Sequence, residues 1–221
     1  MSNTIDYFEY NNPLLRVKTY FSLRARAKMF DRFINICKPT EEDQILDIGA
    51  TPDTRLADSN FFEQMYPYKG NITVASIENC EILVRKFGLK RYVYNAPHKP
   101  FPFADKQFDI VFSSAVLEHV GTRVDQKFFV EECMRVGKKV FLTTPNRYFP
   151  IEMHTFMPFI HWLPWDWFQW LVKPIRGGFW ADINNLNLLS KNDIEKTISD
   201  KVKIEKVKTL GFTSNLILVK K

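Results

Sequence analysis

The sequence is short of glycine and cysteine, and it has no long apolar run. Eight glycines in 221 residues leave no Gly-x-Gly-x-x-Gly, the loop that lets a nicotinamide dinucleotide's pyrophosphate approach a helix N-terminus. Its absence argues against an NAD-dependent enzyme. The three cysteines, Cys37, Cys80 and Cys133, are odd in number and show no Cys-x-x-Cys spacing. They read as small packed hydrophobes in a reducing compartment, not as a disulfide framework. The four histidines show no ligand spacing either, so no metal set is expected. No apolar stretch reaches the roughly 20 residues that span a bilayer, and residues 1–10 are too polar and acidic for a secretory leader. A cytoplasmic protein is expected, either free or peripheral at the inner membrane face. The 31 basic and 25 acidic residues give a net charge of +6. Six lysines of the C-terminal stretch (Lys201, Lys203, Lys206, Lys208, Lys220 and Lys221) carry much of that excess. They read as a solvated edge or as a face for an anionic partner. No aromatic-interleaved basic repeat points to nucleic acid.

What is present is organised around residues 44–53, Gln-Ile-Leu-Asp-Ile-Gly-Ala-Thr-Pro-Asp. The apolar run Ile45-Leu46-Asp47-Ile48 ends at Gly49 and reads as a buried parallel strand closed by a turn. A carboxylate in such a strand costs several kcal/mol, roughly, unless it is paired. Asp47 is therefore expected to bind a ligand or brace the loop. Gly49 permits close backbone approach, and Asp53 or Asp58 is the expected cap of the next helix. A strand, a tight turn and a helix start together make the crevice where open α/β sheets bind nucleotides.

The rest of the chain alternates strands and helices. Residues 1–20 lack periodicity and are expected as an irregular arm. Leu23, Ala27, Phe30, Ile34 and Cys37 mark an amphipathic helix over 21–37, stopped by Pro39. Strands are expected over 71–78, 91–95, 108–114 and 139–144, with short helices over 58–66 and 81–88 and a longer one capped by Thr122 or Asp125. Two alternating strands, at 202–207 and 214–219, close the chain. This order predicts a doubly wound, mostly parallel sheet. Glu78 ends the second strand, where a carboxylate can accept from both hydroxyls of a ribose. The lesser alternative is a helix cap or a solvated strand end.

Four features in this order resemble a class I S-adenosylmethionine-dependent methyltransferase of the type 11 kind. They are Leu46-Asp47-Ile48-Gly49, Glu78, Pro100-Phe101-Pro102-Phe103 followed by Phe108-Asp109-Ile110-Val111, and Leu117-Glu118-His119-Val120. The resemblance runs from about residue 45 to 146. It implies a Rossmann-like seven-stranded sheet with an antiparallel last strand, and S-adenosylmethionine as cofactor. It places Asp47, Gly49, Ala50 and Thr51 at the methionine part, Glu78 at the ribose hydroxyls, and Asn95 and Ala96 at the adenine amine. Ser113 and Ala115 would line the floor beside the reacting methyl. Asn95 stands where the family often has aspartate, and its amide oxygen still accepts from that amine. The family's loop usually carries two or three glycines. Here only Gly49 remains, with Thr51 and Asp53 at the later positions.

On this reading the chain is one domain: an arm and helix over 1–40, a cofactor-binding core over 41–146, an aromatic lid over 147–190 and terminal strands over 191–221. All five tryptophans fall between Trp162 and Trp180. That segment is either a helical lid packed on the core or an apolar entrance resting on a membrane surface, with Lys173 and Arg176 at lipid phosphates. Residues 146–154 loosely resemble methyltransferases of bacterial polysaccharide and glycolipid synthesis, which suggests a small-molecule, sugar or lipid-linked saccharide acceptor. For a hydroxyl acceptor, His119 or His154 is the expected general base, with Glu152 orienting His154. His98 and His161 are weaker candidates, and Tyr148 and Asn146 stand nearby. One other reading stays open, a non-catalytic methyltransferase-like binding module with a degraded cofactor loop; a minor variant, aminopropyl transfer, is weakened because the chain offers no acidic pair after the fourth strand, as that chemistry uses.

Overall fold

The computed structural model describes residues 13–54, 59–198 and 201–220. Its sheet has seven strands: β1 (Ile45–Ile48), β2 (Ile72–Ser76), β3 (Arg91–Tyr94), β4 (Phe108–Ser114), β5 (Gly137–Pro145), β6 (Val202–Thr209) and β7 (Phe212–Lys220). Their order is β3-β2-β1-β4-β5-β7-β6. The first five run parallel, and β7 lies antiparallel to both its neighbours. The order reverses at β1, between β2 and β4, which is where ligands enter such sheets. The expected Rossmann-like topology with an antiparallel last strand is the observed one.

Apolar strands buried on both faces need cover on both faces. On one side lie α1 (Pro13–Cys37), α2 (Phe61–Met65) and α3 (Glu81–Phe87). Phe33 of α1 meets Phe62, Phe112 and Phe141 edge-on, with centroids 5.0, 5.6 and 5.5 Å away, and Phe62 stacks on Phe112 at 3.9 Å. Each such pair adds about 0.5–1.5 kcal/mol beyond the area it buries. On the other side lie α4 (Arg123–Val136) and α6 (Lys191–Thr197), which pack Phe129, Val130, Cys133 and Ile194 onto Leu46, Val111 and Leu142. Both helices start with a reciprocal capping box, Thr122 with Asp125 and Ser190 with Asp193. All three cysteines are free and buried. Burial pushes the Cys37 thiol up to about 12 and that of Cys80 to about 11, so neither ionises readily.

Two local expectations fail. The first helix starts at Pro13, so residues 13–20 are helical and not an irregular arm; residues 1–12 lie outside the described ones. Asp53 does not cap α2. Asn60, in the left-handed region at φ 50°, precedes that helix, and its side chain donates to the carbonyls of Thr51 and Asp53 instead. Asp58 lies outside the described residues.

Residues 147–190 hold one α-helix, α5 (Trp165–Arg176), preceded by a single 3-10 turn at Ile160–Trp162. Phe168 and Val172 on its inner face bury against Ala181 and Leu186 as a small core of their own. On its outer face Trp167 and Trp170 are 63% and 73% exposed. Lid packing and an exposed apolar surface thus coexist on one helix.

Candidate active site

Three cavities meet at the carboxyl ends of β1 and β4, and Ala115 lines all of them. Ala115 has φ 57°, a left-handed conformation that an alanine adopts only when its surroundings impose it. Its N–H donates to the Thr143 carbonyl at 2.9 Å, which fixes the turn leaving β4.

The first cavity, about 280 Å³, is lined by Gly49, Ala50, Thr51, Glu78, Asn95, Ala96, Ala115 and His119. Seven of these were expected at the cofactor. Gly49 has φ 91°, and a Cβ there would come within 2.2 Å of Val116 Cγ2. Asn95 is buried, and its Oδ1 has no hydrogen-bond partner. A buried acceptor left open toward a cavity costs about 1–3 kcal/mol until a donor fills it. Glu78 is exposed at the rim, two residues past the end of β2.

The second cavity, about 200 Å³, lies across the Gly49–Thr51 turn from the first. Asp47 faces this one, together with Glu63 of α2 and Arg26 of α1. Burial, and then the charge of Glu63 beside it, raise the Asp47 carboxyl well above the usual carboxylate range; burial likewise raises Glu63. The two share a hydrogen bond. Both folded-state values lie above their unfolded values near 4. The stabilisation from the neutral pair is therefore complete below about pH 4 and is lost as pH rises through the raised values. Asp47→Asn keeps a donor for Glu63 and removes that loss. The ligand-free variant should melt a few degrees above the parent at pH 7, about 2–4 °C per kcal/mol for a chain of this size, and the gap should close toward pH 4. Melting curves across that range test it; a gap that does not change with pH would contradict it.

The third cavity, about 250 Å³, is lined by Phe21, Met29, Phe149, Ile151, Glu118, Glu152 and His154, among others. His119 and His154 stand between it and the first cavity, with their Nε2 atoms 3.1 Å apart. Glu152 is buried and accepts from His154 Nδ1 at 2.6 Å and from the backbone N–H of His154 and Thr155 at 2.9 and 2.5 Å. Burial would raise its pKa, but these bonds and the nearby imidazole outweigh that and hold it at about 2. His119 Nδ1 donates to the Asn185 carbonyl at 2.6 Å. Trp180 lies against both rings, 5.0 Å from His154 and 6.2 Å from His119 between centroids.

Not every expected residue reaches a cavity. Ser113 is turned the other way, and its Oγ donates to the Ile48 carbonyl at 2.8 Å. Ser114 lines the second and third cavities in its place. His161 does line the third cavity, but its Nε2 is taken up by the Phe149 carbonyl at 2.8 Å, and burial lowers its pKa. His98 pairs with Asp125 on the far wall of the first cavity. Asn146 lines the third cavity, and Tyr148 lies outside it. Sequence reasoning missed Arg26, Glu63 and Glu118. Leu117-Glu118-His119 was noticed as a motif, but no local signal joins α1 and α2 to Asp47. The histidines show no ligand spacing along the chain, yet the fold places ligand-type atoms of Glu118, His119 and His154 within 4.8 Å of one another.

Residues 58–140 match the family described as a methyltransferase domain. No curated protein matches this methyltransferase-like chain in sequence. Among solved structures, the PH0226 protein of Pyrococcus horikoshii superposes with a TM-score of 0.56 at 13% identity, over 90% of each chain. The trans-methyltransferase CalH, solved with S-adenosylhomocysteine, gives 0.53 at 15% identity, over 92% of this chain and 58% of that one. A SAM-dependent methyltransferase of Methanosarcina mazei gives 0.50 at 15%, over 83% and 94%. At these identities the likeness is one of fold.

Proposed function

We propose that the protein is an S-adenosylmethionine-dependent methyltransferase whose acceptor is apolar, a lipid or lipid-linked saccharide met at a membrane surface. The observation that carries the cofactor is the unpartnered, buried Asn95 Oδ1 in the wall of the first cavity. It suits the exocyclic amine of adenine, which donates and cannot accept. Glu78 at the rim accepts from the ribose hydroxyls. The Gly49–Thr51 turn gives close backbone approach. Asp47 and Glu63 meet the ammonium of the amino-acid tail, with Arg26 near for its carboxylate. Bound there, the cofactor supplies an electrophilic methyl on sulfur, so the chain's main task is to align an acceptor with it. The third cavity adjoins the first at Ala115 and is walled by Phe21, Met29, Phe149 and Ile151, which favours an apolar acceptor. The His119–His154 pair, held by Asn185 and Glu152, stands at the junction and activates the acceptor.

The lid supports the choice of surface. Tyr148, Phe159, Trp162, Trp167, Trp170 and Phe179 are each more than two-fifths exposed, and large apolar side chains exposed along one segment suit an interaction surface. Indole rings favour the bilayer interface, and exposed Lys173 lies on the same helix. Among the described residues no helix is long and apolar enough to cross a membrane. Trp167→Ser with Trp170→Ser should cut co-sedimentation with anionic vesicles about tenfold or more and leave cofactor affinity unchanged; equal sedimentation of variant and parent would contradict the surface. The function itself is tested by incubating the protein with methyl-labelled S-adenosylmethionine and a total lipid extract. Label in the organic phase is the expected result. Label only in water-soluble products would move the acceptor to a free small molecule, and none in either phase would overturn the reading.

A further inference from the structure

We propose that Glu118, His119 and His154 form a binding site for a divalent transition-metal ion, zinc being the ion they fit best. The Asn185 carbonyl 2.6 Å from His119 Nδ1 only accepts, so that nitrogen carries the proton. Both oxygens of Glu152 already accept backbone N–H groups, from His154 and Thr155, and the one 2.6 Å from His154 Nδ1 accepts there as well. Both Nε2 atoms are therefore left as lone pairs, and they face each other at 3.1 Å. Two lone pairs at that distance repel unless something positive lies between them.

A shared proton would relieve the repulsion, but it leaves a third group unexplained. Glu118 is fully buried. Its Oε2 accepts from Thr144 Oγ1 at 2.9 Å, while Oε1 has no hydrogen-bond partner and lies 3.9 Å from His119 Nε2. Among the described residues no lysine or arginine pairs with it. A buried, unpartnered carboxylate oxygen grouped with two imidazole nitrogens, all within 4.8 Å of one another, suits a cation. Nitrogens each about 2.0–2.1 Å from a tetrahedral zinc lie about 3.3 Å apart, close to the separation seen, and His2Glu is a familiar zinc donor set. Imidazoles that bind metals almost always donate their other N–H to a carboxylate or a carbonyl, as both do here. Three protein ligands leave a fourth position open, and Glu118 and His154 border the third cavity. An acceptor oxygen there would complete the tetrahedron and be made more acidic, as metal-bound water is. That role rests on the transferase reading; binding of the ion does not.

The test is calorimetric titration of chelator-dialysed full-length protein with zinc chloride, with S-adenosylhomocysteine titrated into the same samples. The parent should take up one zinc per chain. His119→Ala and His154→Ala should weaken zinc binding about 100-fold or more, the isosteric Glu118→Gln about tenfold, and His98→Gln not at all. A cooperative melting transition shows that each variant is folded, and retained S-adenosylhomocysteine binding shows it also for His154→Ala and Glu118→Gln, which lie outside the first cavity. A parent that binds S-adenosylhomocysteine but no zinc overturns the site and leaves the transferase standing; a pair that merely shares a proton gives this result. Zinc affinity that survives both histidine variants also overturns it. Zinc uptake that depends on these residues in a protein silent to S-adenosylhomocysteine supports the site and removes its catalytic role.

Discussion

Gly49→Val abolishes S-adenosylhomocysteine binding, by about 100-fold or more, and leaves the sheet intact. Two physical effects coincide at this residue. At φ 91° an L side chain is strained by roughly 1–3 kcal/mol. The new Cβ would also sit 2.2 Å from Val116 Cγ2 and 3.0 Å from Cγ1. Val116 is β-branched and lines the first cavity, so it cannot swing clear without moving the turn after β4. Backbone on both sides of the cavity has to give. The Gly49 N–H donates to the Ala75 carbonyl at 2.8 Å on β2, so displacement there spreads toward Glu78. The core on either face of the sheet does not involve this atom, and circular dichroism should show a folded chain with a lower melting temperature. Binding within threefold of the parent, in a folded variant, would mean that the cofactor does not lie against this turn.

His154→Ala lowers turnover by about 10²–10⁴-fold and changes S-adenosylhomocysteine affinity less than threefold. The asymmetry follows from place: His154 lines the third cavity, proposed for the acceptor, and not the first, proposed for the cofactor. Its position is over-determined by three bonds from residues 154 and 155 to Glu152 and by the Trp180 ring. Glu152→Gln should fall between parent and His154→Ala, because an amide oxygen still accepts from Nδ1 but carries no charge. The split between turnover and affinity separates a chemical role from a structural one. A variant whose turnover is unchanged would take His154 out of the reaction.

Much of the fold was legible because its strands are short apolar runs closed by turn residues, and because helix and strand alternate. The start of α1 was not, since residues 13–20 show no clear apolar period. Pro13 in the first helical turn was the available signal. The site was legible where one residue's backbone decides it. Gly49, Asn95 and Ala115 each sit at the carboxyl end of a strand, where the topology puts the ligand. It was not legible where a side chain's direction decides it. Successive residues of a strand point to opposite faces, so Ser113 and Ser114 exchange roles on a shift of one position. β1 is buried on both faces, so its sequence gives no hint that Asp47 turns toward Glu63 and Arg26. Glu118 and His119 are adjacent, yet His154 arrives from 35 residues away, and no linear spacing announces the three together.

The most direct test of the account is calorimetric titration of the purified protein with S-adenosylmethionine and S-adenosylhomocysteine, with NAD as control. The account predicts a single site for both sulfur compounds, weakened in Asn95→Ala, which removes the acceptor for the adenine amine, and no heat from NAD. Silence toward both sulfur compounds, or binding of NAD alone, would contradict it and leave a methyltransferase-like fold that serves another end.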